Sequence, residues 1–211
     1  MGDGPIATED VRNISERTRC AFDLVALAAS AGGLNALSQV LAGLPGDFPA
    51  TILVVQHLDP RHRSLMADIL SRRTALQVKQ AEEGDHVIAG TTYIAPPNRH
   101  LLVNPDYTLS LSQSEMVHFV RPSADLLFES AAAVYKDRAI AVVLSGTGSD
   151  GSMGVKAIKK MGGTVIAQDE QSSEFFGMPS ATIQTASVDF ILPLGEIAAA
   201  LVTLVVGVDV E

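Results

Sequence analysis

Apolar and polar residues follow one another along this chain in blocks of two kinds. Residues 23–28 form an almost uninterrupted apolar run shortly before Ser30, and such a run predicts a buried strand. After Ser30, apolar residues recur at positions 34, 37, 40 and 41 with the spacing of an amphipathic helix. A second apolar run, 51–55, is followed by Gln56-His57. Strand, helix and strand within about 35 residues predict a right-handed βαβ unit with parallel strands.

The alternation continues to the carboxyl end of the chain. Further helices are predicted over 64–72, 123–133, 155–161 and 197–204, with a short one after 179, and further strands over 76–79, 139–144, 164–167 and 190–192. Between 84 and 111 the pattern changes to short strands separated by Pro, Gly and Asn, which predicts a β-hairpin insertion at one edge. The expected fold class is α/β, with a doubly wound, mostly parallel sheet flanked by helices.

The composition agrees with one domain of this kind. The chain has 211 residues, of which 47% are hydrophobic and 18% charged, and that is enough to bury a full core. Residues 1–22 show no sustained period, so we expect a flexible leader there and a single domain over 23–211. The net charge of −9 at pH 7 disfavours binding to the phosphates of nucleic acid.

Three features predict a cytoplasmic protein without membrane insertion. Cys20 is the single cysteine, so no internal disulfide can form. The leader has no apolar core segment and is not a signal peptide, and the apolar run at 197–208 is shorter than the about 20 residues that span a bilayer. The histidines show no ligand spacing, so we expect no metal site.

Ser30 lies at the predicted strand-to-helix turn, where a hydroxyl is exposed at the sheet edge. The N–H groups at the start of the helix could stabilise an oxyanion there. The segment Ala28-Ala29-Ser30-Ala31-Gly32 approximates the G-x-S-x-G nucleophile turn, with Ala28 in place of the first glycine. The alternative interpretation is that Ser30 caps the helix.

Two further side chains follow predicted strand ends. His57 comes after the second strand and Asp150 after the apolar run at 139–144, and parallel strands place their carboxyl ends at one edge of the sheet. Asp150 could accept the Nδ1 proton of His57, fix its tautomer and stabilise the imidazolium. Ser30, His57 and Asp150 are therefore the candidate nucleophile, base and orienting acid. Asp150 could also cap the helix that follows it.

A second interpretation concerns the glycines around Asp150. Residues 146–151 match G-x-G-x-x-G between a strand and a helix, with Asp169 about 20 residues further on, which is the pattern of a dinucleotide-binding turn. Asp150 argues against it, because it brings a carboxylate to the place where a pyrophosphate would lie.

Six segments, taken together, resemble one known family. They are residues 29–33 (ASAGG), 56–57 (QH), 93–96 (YIAP), 121–128 (RPSADLLF), 144–151 (LSGTGSDG) and 176–179 (FGMP). In this order they resemble the protein-glutamate methylesterase of bacterial chemotaxis, the CheB type, over roughly 22–204. The resemblance implies Ser30 as nucleophile, His57 as base and then acid, Asp150 as orienting carboxylate, and no cofactor. It also implies hydrolysis of glutamyl methyl esters on chemoreceptors, with release of methanol, and deamidation of receptor glutamines.

The chain departs from that family's usual pattern beside the expected site. Ala31 stands where the family usually has threonine, and Thr147 where it usually has methionine, so the site-flanking positions are Ala31, Gly32 and Thr147. These differences leave open a degenerate domain that binds a receptor without hydrolysis. A receiver domain, which commonly precedes the family's catalytic domain, does not fit into the 22-residue leader. Regulation is then lost, comes from a receiver protein in trans, or the chain is an excised domain.

Overall fold

The computed structural model describes residues 22–57 and 64–207, which form a parallel sheet with helices on both faces. Residues 1–21, which make up most of the predicted leader, lie outside the described residues. The strands are β1 (Leu24–Ala29), β2 (Thr51–Gln56), β3 (Gln77–Gln80), β4 (Thr91–Ile94), β5 (His100–Val103), β6 (Leu109–Ser112), β7 (Ala139–Val143), β8 (Thr164–Gln168) and β9 (Phe190–Leu192). The α-helices are α1 (Gly33–Ala42), α2 (Met66–Ser71), α3 (Ala124–Tyr135), α4 (Gly154–Lys160), α5 (Gly177–Ile183) and α6 (Leu194–Val206).

Seven strands pair in the order β3-β4-β2-β1-β7-β8-β9, and every pairing is parallel. The central strands β1, β2 and β7 are buried along their whole length, which is why their sequences are apolar runs rather than alternating patterns. The predicted doubly wound α/β fold is confirmed.

Successive residues of the strands supply two separate cores, one on each face of the sheet. Val25 and Leu27 pack with side chains of α1, α2 and α6. Leu24 and Ala26 point to the other face and pack with side chains of α3, α4 and the β5–β6 pair. The two-residue period of a strand produces this division.

The predicted hairpin insertion is confirmed over a narrower range. β5 and β6 form an antiparallel pair apart from the main sheet. The expectation that the strand at 91–95 belongs to the same insertion is wrong, because β4 pairs in parallel with β2 and β3. All four residues of β4 are buried, and their backbone N–H and C=O groups need hydrogen-bond partners that water cannot supply there. Pairing with β2 and β3 inside the sheet provides them.

The strand order reverses between β1 and β7, and the candidate site lies at this point of the sheet. From β1 the chain passes through α1 to β2 on one side, and from β7 through α4 to β8 on the other. Since α1 and α4 pack on opposite faces, a crevice opens at the carboxyl ends of β1 and β7, where open α/β sheets bind ligands.

Candidate active site

Ser30 lies one residue beyond β1, in a turn tied to both neighbouring strands. Its N–H donates to the Ser145 carbonyl at 3.0 Å, and its carbonyl accepts from the Gly33 N–H at 2.9 Å and from Gln56 Nε2 at 2.7 Å. The interpretation of Ser30 as a helix cap is wrong: Gly32 occupies the N-cap position of α1, at φ +74°, and no side chain caps it. The positive φ suits glycine and turns the chain sharply enough to leave the hydroxyl at the sheet edge.

His57 lies one residue beyond β2 and contacts Asp150 directly. The β1–β2 register pairs Ala29 with Gln56, so Ser30 and His57 are the next residues on adjacent strands. His57 Nε2 is 2.8 Å from Asp150 Oδ2, with the two side chains 14% and 3% exposed.

The predicted ring nitrogen is wrong. Asp150 is held deep in the fold, on the side of the ring away from the His57 backbone, and the distal nitrogen Nε2 reaches it instead of Nδ1. With Nε2 engaged, Nδ1 is the nitrogen left for proton exchange. Ser30 and His57 are both among the described residues, and no hydrogen bond joins their side chains in this structure.

The Asp150 carboxylate lies at the amino end of α3. Its Oδ1 accepts from the Ser123 hydroxyl at 2.8 Å and the Asp125 N–H at 3.2 Å, and its Oδ2 accepts from the Ala124 N–H at 2.6 Å. Burial alone would raise the pKa of Asp150, but the hydrogen bonds from His57, Ala124 and Ser123 outweigh it and hold the pKa below the usual 3.8. The carboxylate therefore stays ionised. Because Asp150 accepts from the amino end of α3 and not from the helix that follows it, its predicted role as a cap of the following helix is wrong.

That following helix, α4, is capped by Asp125 instead. Asp125 Oδ1 accepts from the N–H groups of Met153 at 2.9 Å and Gly154 at 2.7 Å. Asp150, which precedes α4, thus caps α3, and Asp125, in the first turn of α3, caps α4. In the dinucleotide interpretation of 146–151, the amino end of α4 would receive a pyrophosphate. Because a buried carboxylate already takes those N–H groups, the geometry argues against that interpretation.

Backbone donors lie in the turns on either side of Ser30. Within the described part of the chain, the N–H groups of Ala31, Gly32 and Thr147 donate to no protein atom. The two turns are packed tightly, since a Cβ added to Gly146 would lie 2.9 Å from the Ser30 Cβ. N–H groups that are fixed and unused beside a hydroxyl can stabilise an oxyanion.

Sequence reasoning missed the side chains that hold these turns together. The Ser145 hydroxyl donates to the Ala31 carbonyl at 2.9 Å and accepts from the Phe175 N–H at 2.9 Å, and the Ser145 N–H donates to Gln168 Oε1 at 2.8 Å. One signal was present: Ser145 follows the apolar run of β7 much as Ser30 follows that of β1. Its role in joining three loops depends on contacts between distant residues.

Two other functional features are absent from the described part of the chain. Among residues 22–57 and 64–207, no three His, Cys, Asp or Glu side chains form a group that could hold a metal ion. In the same two segments, no helix has the length and apolar character needed to cross a membrane.

Comparison with known proteins places these residues in a family. The family model for the CheB methylesterase matches residues 25–201, inside the predicted domain. A relative from Leptospira interrogans is 42% identical over 177 residues, which cover 84% of this chain and 92% of the relative. Protein-glutamate methylesterase FrzG of Myxococcus xanthus is 43% identical over 180 residues, which cover 85% of this chain and 54% of FrzG. The crystal structure of the Thermotoga maritima CheB methylesterase catalytic domain superposes with a TM-score of 0.85 at 38% identity, covering 87% of this chain and 99% of that one.

Proposed function

Because this chain belongs to the CheB methylesterase family, we propose that it hydrolyses glutamyl methyl esters on chemoreceptor-type proteins and releases methanol. The observation that carries the proposal is the contact of half-buried His57 with the buried Asp150 carboxylate, 2.8 Å apart, at the strand end next to Ser30. Several relatives are named protein-glutamine glutaminases as well, and we extend the proposal to deamidation of glutamine, which is the same acyl transfer with ammonia as leaving group.

The first half of the reaction uses Ser30 as nucleophile. Ser30 Oγ attacks the ester carbonyl carbon while His57 Nδ1 takes its proton, and Asp150 stabilises the imidazolium through Nε2–H. The tetrahedral oxyanion is stabilised by the unused N–H groups beside Ser30, with those of Ala31 and Thr147 as candidates. The C–O bond to the methoxy group then breaks, and His57 returns the proton to form methanol.

The second half repeats the same steps with water. His57 takes a proton from water, the hydroxide attacks the acyl carbon, and the bond to Ser30 Oγ breaks as His57 protonates that oxygen. The product is a glutamate side chain. All the proton transfers use the chain's own residues. Ala31 and Thr147 supply backbone N–H groups whatever their side chains, which favours hydrolysis over a degenerate binding domain.

The test is methanol release from a methylated chemoreceptor, measured for the wild type and for Ser30→Ala. We expect Ser30→Ala to lose activity by several orders of magnitude and to lose labelling by a fluorophosphonate probe, because the acyl-enzyme cannot form. Ser71→Ala is the matched control, since the exposed Ser71 hydroxyl bonds the Asp68 carbonyl and no other group among the described residues. Equal activity in wild type and Ser30→Ala would remove Ser30 as nucleophile, and a wild type that binds the receptor without releasing methanol would support the degenerate domain.

A further inference from the structure

Ser123 is fully buried at the start of α3, and its hydroxyl does not do what its position predicts. A serine before a helix ordinarily accepts a hydrogen bond from the first turn. Ser123 occupies the N-cap position of α3 but makes no side-chain cap bond. Its hydroxyl donates to Asp150 Oδ1 at 2.8 Å. In the described part of the chain, His57 and Ser123 are the only side chains that donate to this carboxylate.

Ser123 is itself held in place by a buried histidine. The Ser123 N–H donates to His100 Nδ1 at 3.1 Å, and His100 Nε2 lies 3.1 Å from the Glu115 carbonyl. His100 is completely buried, and this burial lowers its pKa, so the ring is neutral with its proton on Nε2. A chain of hydrogen bonds therefore runs from the Glu115 carbonyl to the ring of His57.

We propose that Ser123 is a positioning residue for the esterase reaction, whose hydroxyl holds the Asp150 carboxylate in the orientation that faces His57. The inference rests on the proposed function. The Ala124 and Asp125 N–H groups hold the same carboxylate from the backbone of α3, so removing the hydroxyl weakens the arrangement without abolishing it. Loss of one hydrogen bond of ordinary strength corresponds to about a three- to tenfold lower kcat, with KM unchanged because Ser123 is buried away from substrate.

The Ser123 hydroxyl also draws charge away from the oxygen that faces His57. Without this donor the carboxylate can turn, and the hydrogen bond that Oδ2 accepts from His57 Nε2–H changes in length and polarity. In the described part of the chain, His100 and Asp125 are the other ionisable groups that interact with this carboxylate, and Ser123→Ala leaves both in place.

The experiment compares Ser123→Ala, Ser123→Thr and Ser130→Ala with the wild type. Ser130 is the matched control on the same helix: its hydroxyl bonds the Val103 N–H and the Leu127 carbonyl, away from Asp150. Each variant is assayed for the kcat and KM of methanol release, for the rate of fluorophosphonate labelling, and for Tm. The ¹H resonance of His57 Nε2–H reports its hydrogen bond directly.

We expect Ser123→Ala to lower kcat about three- to tenfold, to leave KM unchanged and to shift the Nε2–H resonance. Ser123→Thr should restore kcat, and Ser130→Ala should lower Tm without these effects. If Ser123→Thr fails to fold, the resonance of Ser123→Ala and its separate effects on kcat and KM still decide. A wild-type kcat in Ser123→Ala, or a lower kcat with an unmoved resonance, overturns the inference. A wild type that is labelled but releases no methanol overturns the proposed function instead.

Discussion

Asparagine at position 150 removes a charge and keeps the size of the side chain, and the surrounding donors decide how the amide turns. The oxygen that faces His57 also accepts a short hydrogen bond, 2.6 Å, from the Ala124 N–H, which can only donate. The other oxygen accepts from the Asp125 N–H at the longer distance of 3.2 Å and from the Ser123 hydroxyl, and a hydroxyl can rotate to accept instead. We therefore expect the amide nitrogen of Asp150→Asn to face Ser123 and its oxygen to face His57.

This orientation determines the size of the effect on catalysis. The amide oxygen still accepts from Nε2–H, so His57 keeps its tautomer, and only the negative charge is lost. An opposite charge in contact stabilises a protonated imidazole by about 1.5–4 kcal/mol, so kcat/KM should fall about 10- to 10³-fold. In trypsin-like enzymes the same change costs about 10⁴-fold, because the amide holds the histidine in the wrong tautomer. Leaving the Asp125 N–H without an acceptor should also cost about 1–3 kcal/mol of unfolding free energy.

Methanol release by the wild type and Asp150→Asn measures the first effect, and ¹⁵N chemical shifts of His57 report its tautomer. Asp150→Ala, which supplies no acceptor at all, is the comparison and should lose more activity than Asp150→Asn. A loss of 10⁴-fold or more with the proton on Nδ1 would refute the argument from the rotating hydroxyl. A loss below tenfold would show that the charge of Asp150 does not assist the reaction.

Two further substitutions test the packing of the site. Gly146→Ala places a Cβ 2.3 Å from Met178 Sδ and 2.9 Å from the Ser30 Cβ. We therefore expect the free energy of unfolding to fall by about 1–3 kcal/mol, measured as a lower Tm, and methanol release to fall at least tenfold. Gly195→Ala, whose Cβ meets nothing closer than 3.7 Å, should lower neither Tm nor methanol release, and an active Gly146→Ala would contradict this reasoning. Burial raises the pKa of Asp125 above 3.8, so ionisation of this carboxyl lowers the stability of the folded state as the pH rises from 3.8 through the raised value. Asp125→Asn keeps an acceptor oxygen and should be about 1 kcal/mol more stable than the wild type at pH 7. Melting curves should show this gain disappearing below about pH 3.8.

The sheet could be predicted where burial leaves a mark on the sequence. β1, β2 and β7 are apolar runs ended by turns, and the helices between them require parallel pairing. β4 carried no such mark: four residues between turns look the same in a hairpin and in a sheet, and only pairing with β2 and β3 decides. For the same reason the sequence predicts a hairpin that begins too early in the chain, before the β5–β6 pair.

The site residues, like the strands, could be predicted only where they follow a local pattern. Ser30, His57 and Asp150 could be selected because each follows a strand, which is a local pattern. The partner of Asp150 could not, since Ser123 precedes it by 27 residues and meets it only after α3 has packed beside α4. The ring nitrogen that faces Asp150 cannot be predicted from the sequence, because it depends on the position of a carboxylate that lies 93 residues further along the chain.

Because Asp150 caps α3 while Asp125 caps α4, the proposed orienting acid also stabilises the fold. Asp150 helps to join two helices that pack so closely that a Cβ on Gly154 would lie 2.7 Å from the Phe128 Cβ. A descendant of this protein that had stopped hydrolysing esters would still be selected to keep Asp150, because losing it would loosen the fold. In the described structure the Ser30 hydroxyl makes no hydrogen bond and carries no such constraint. Substitution of Ser30, rather than of Asp150, would therefore be the earlier sign that a homologous sequence has given up catalysis.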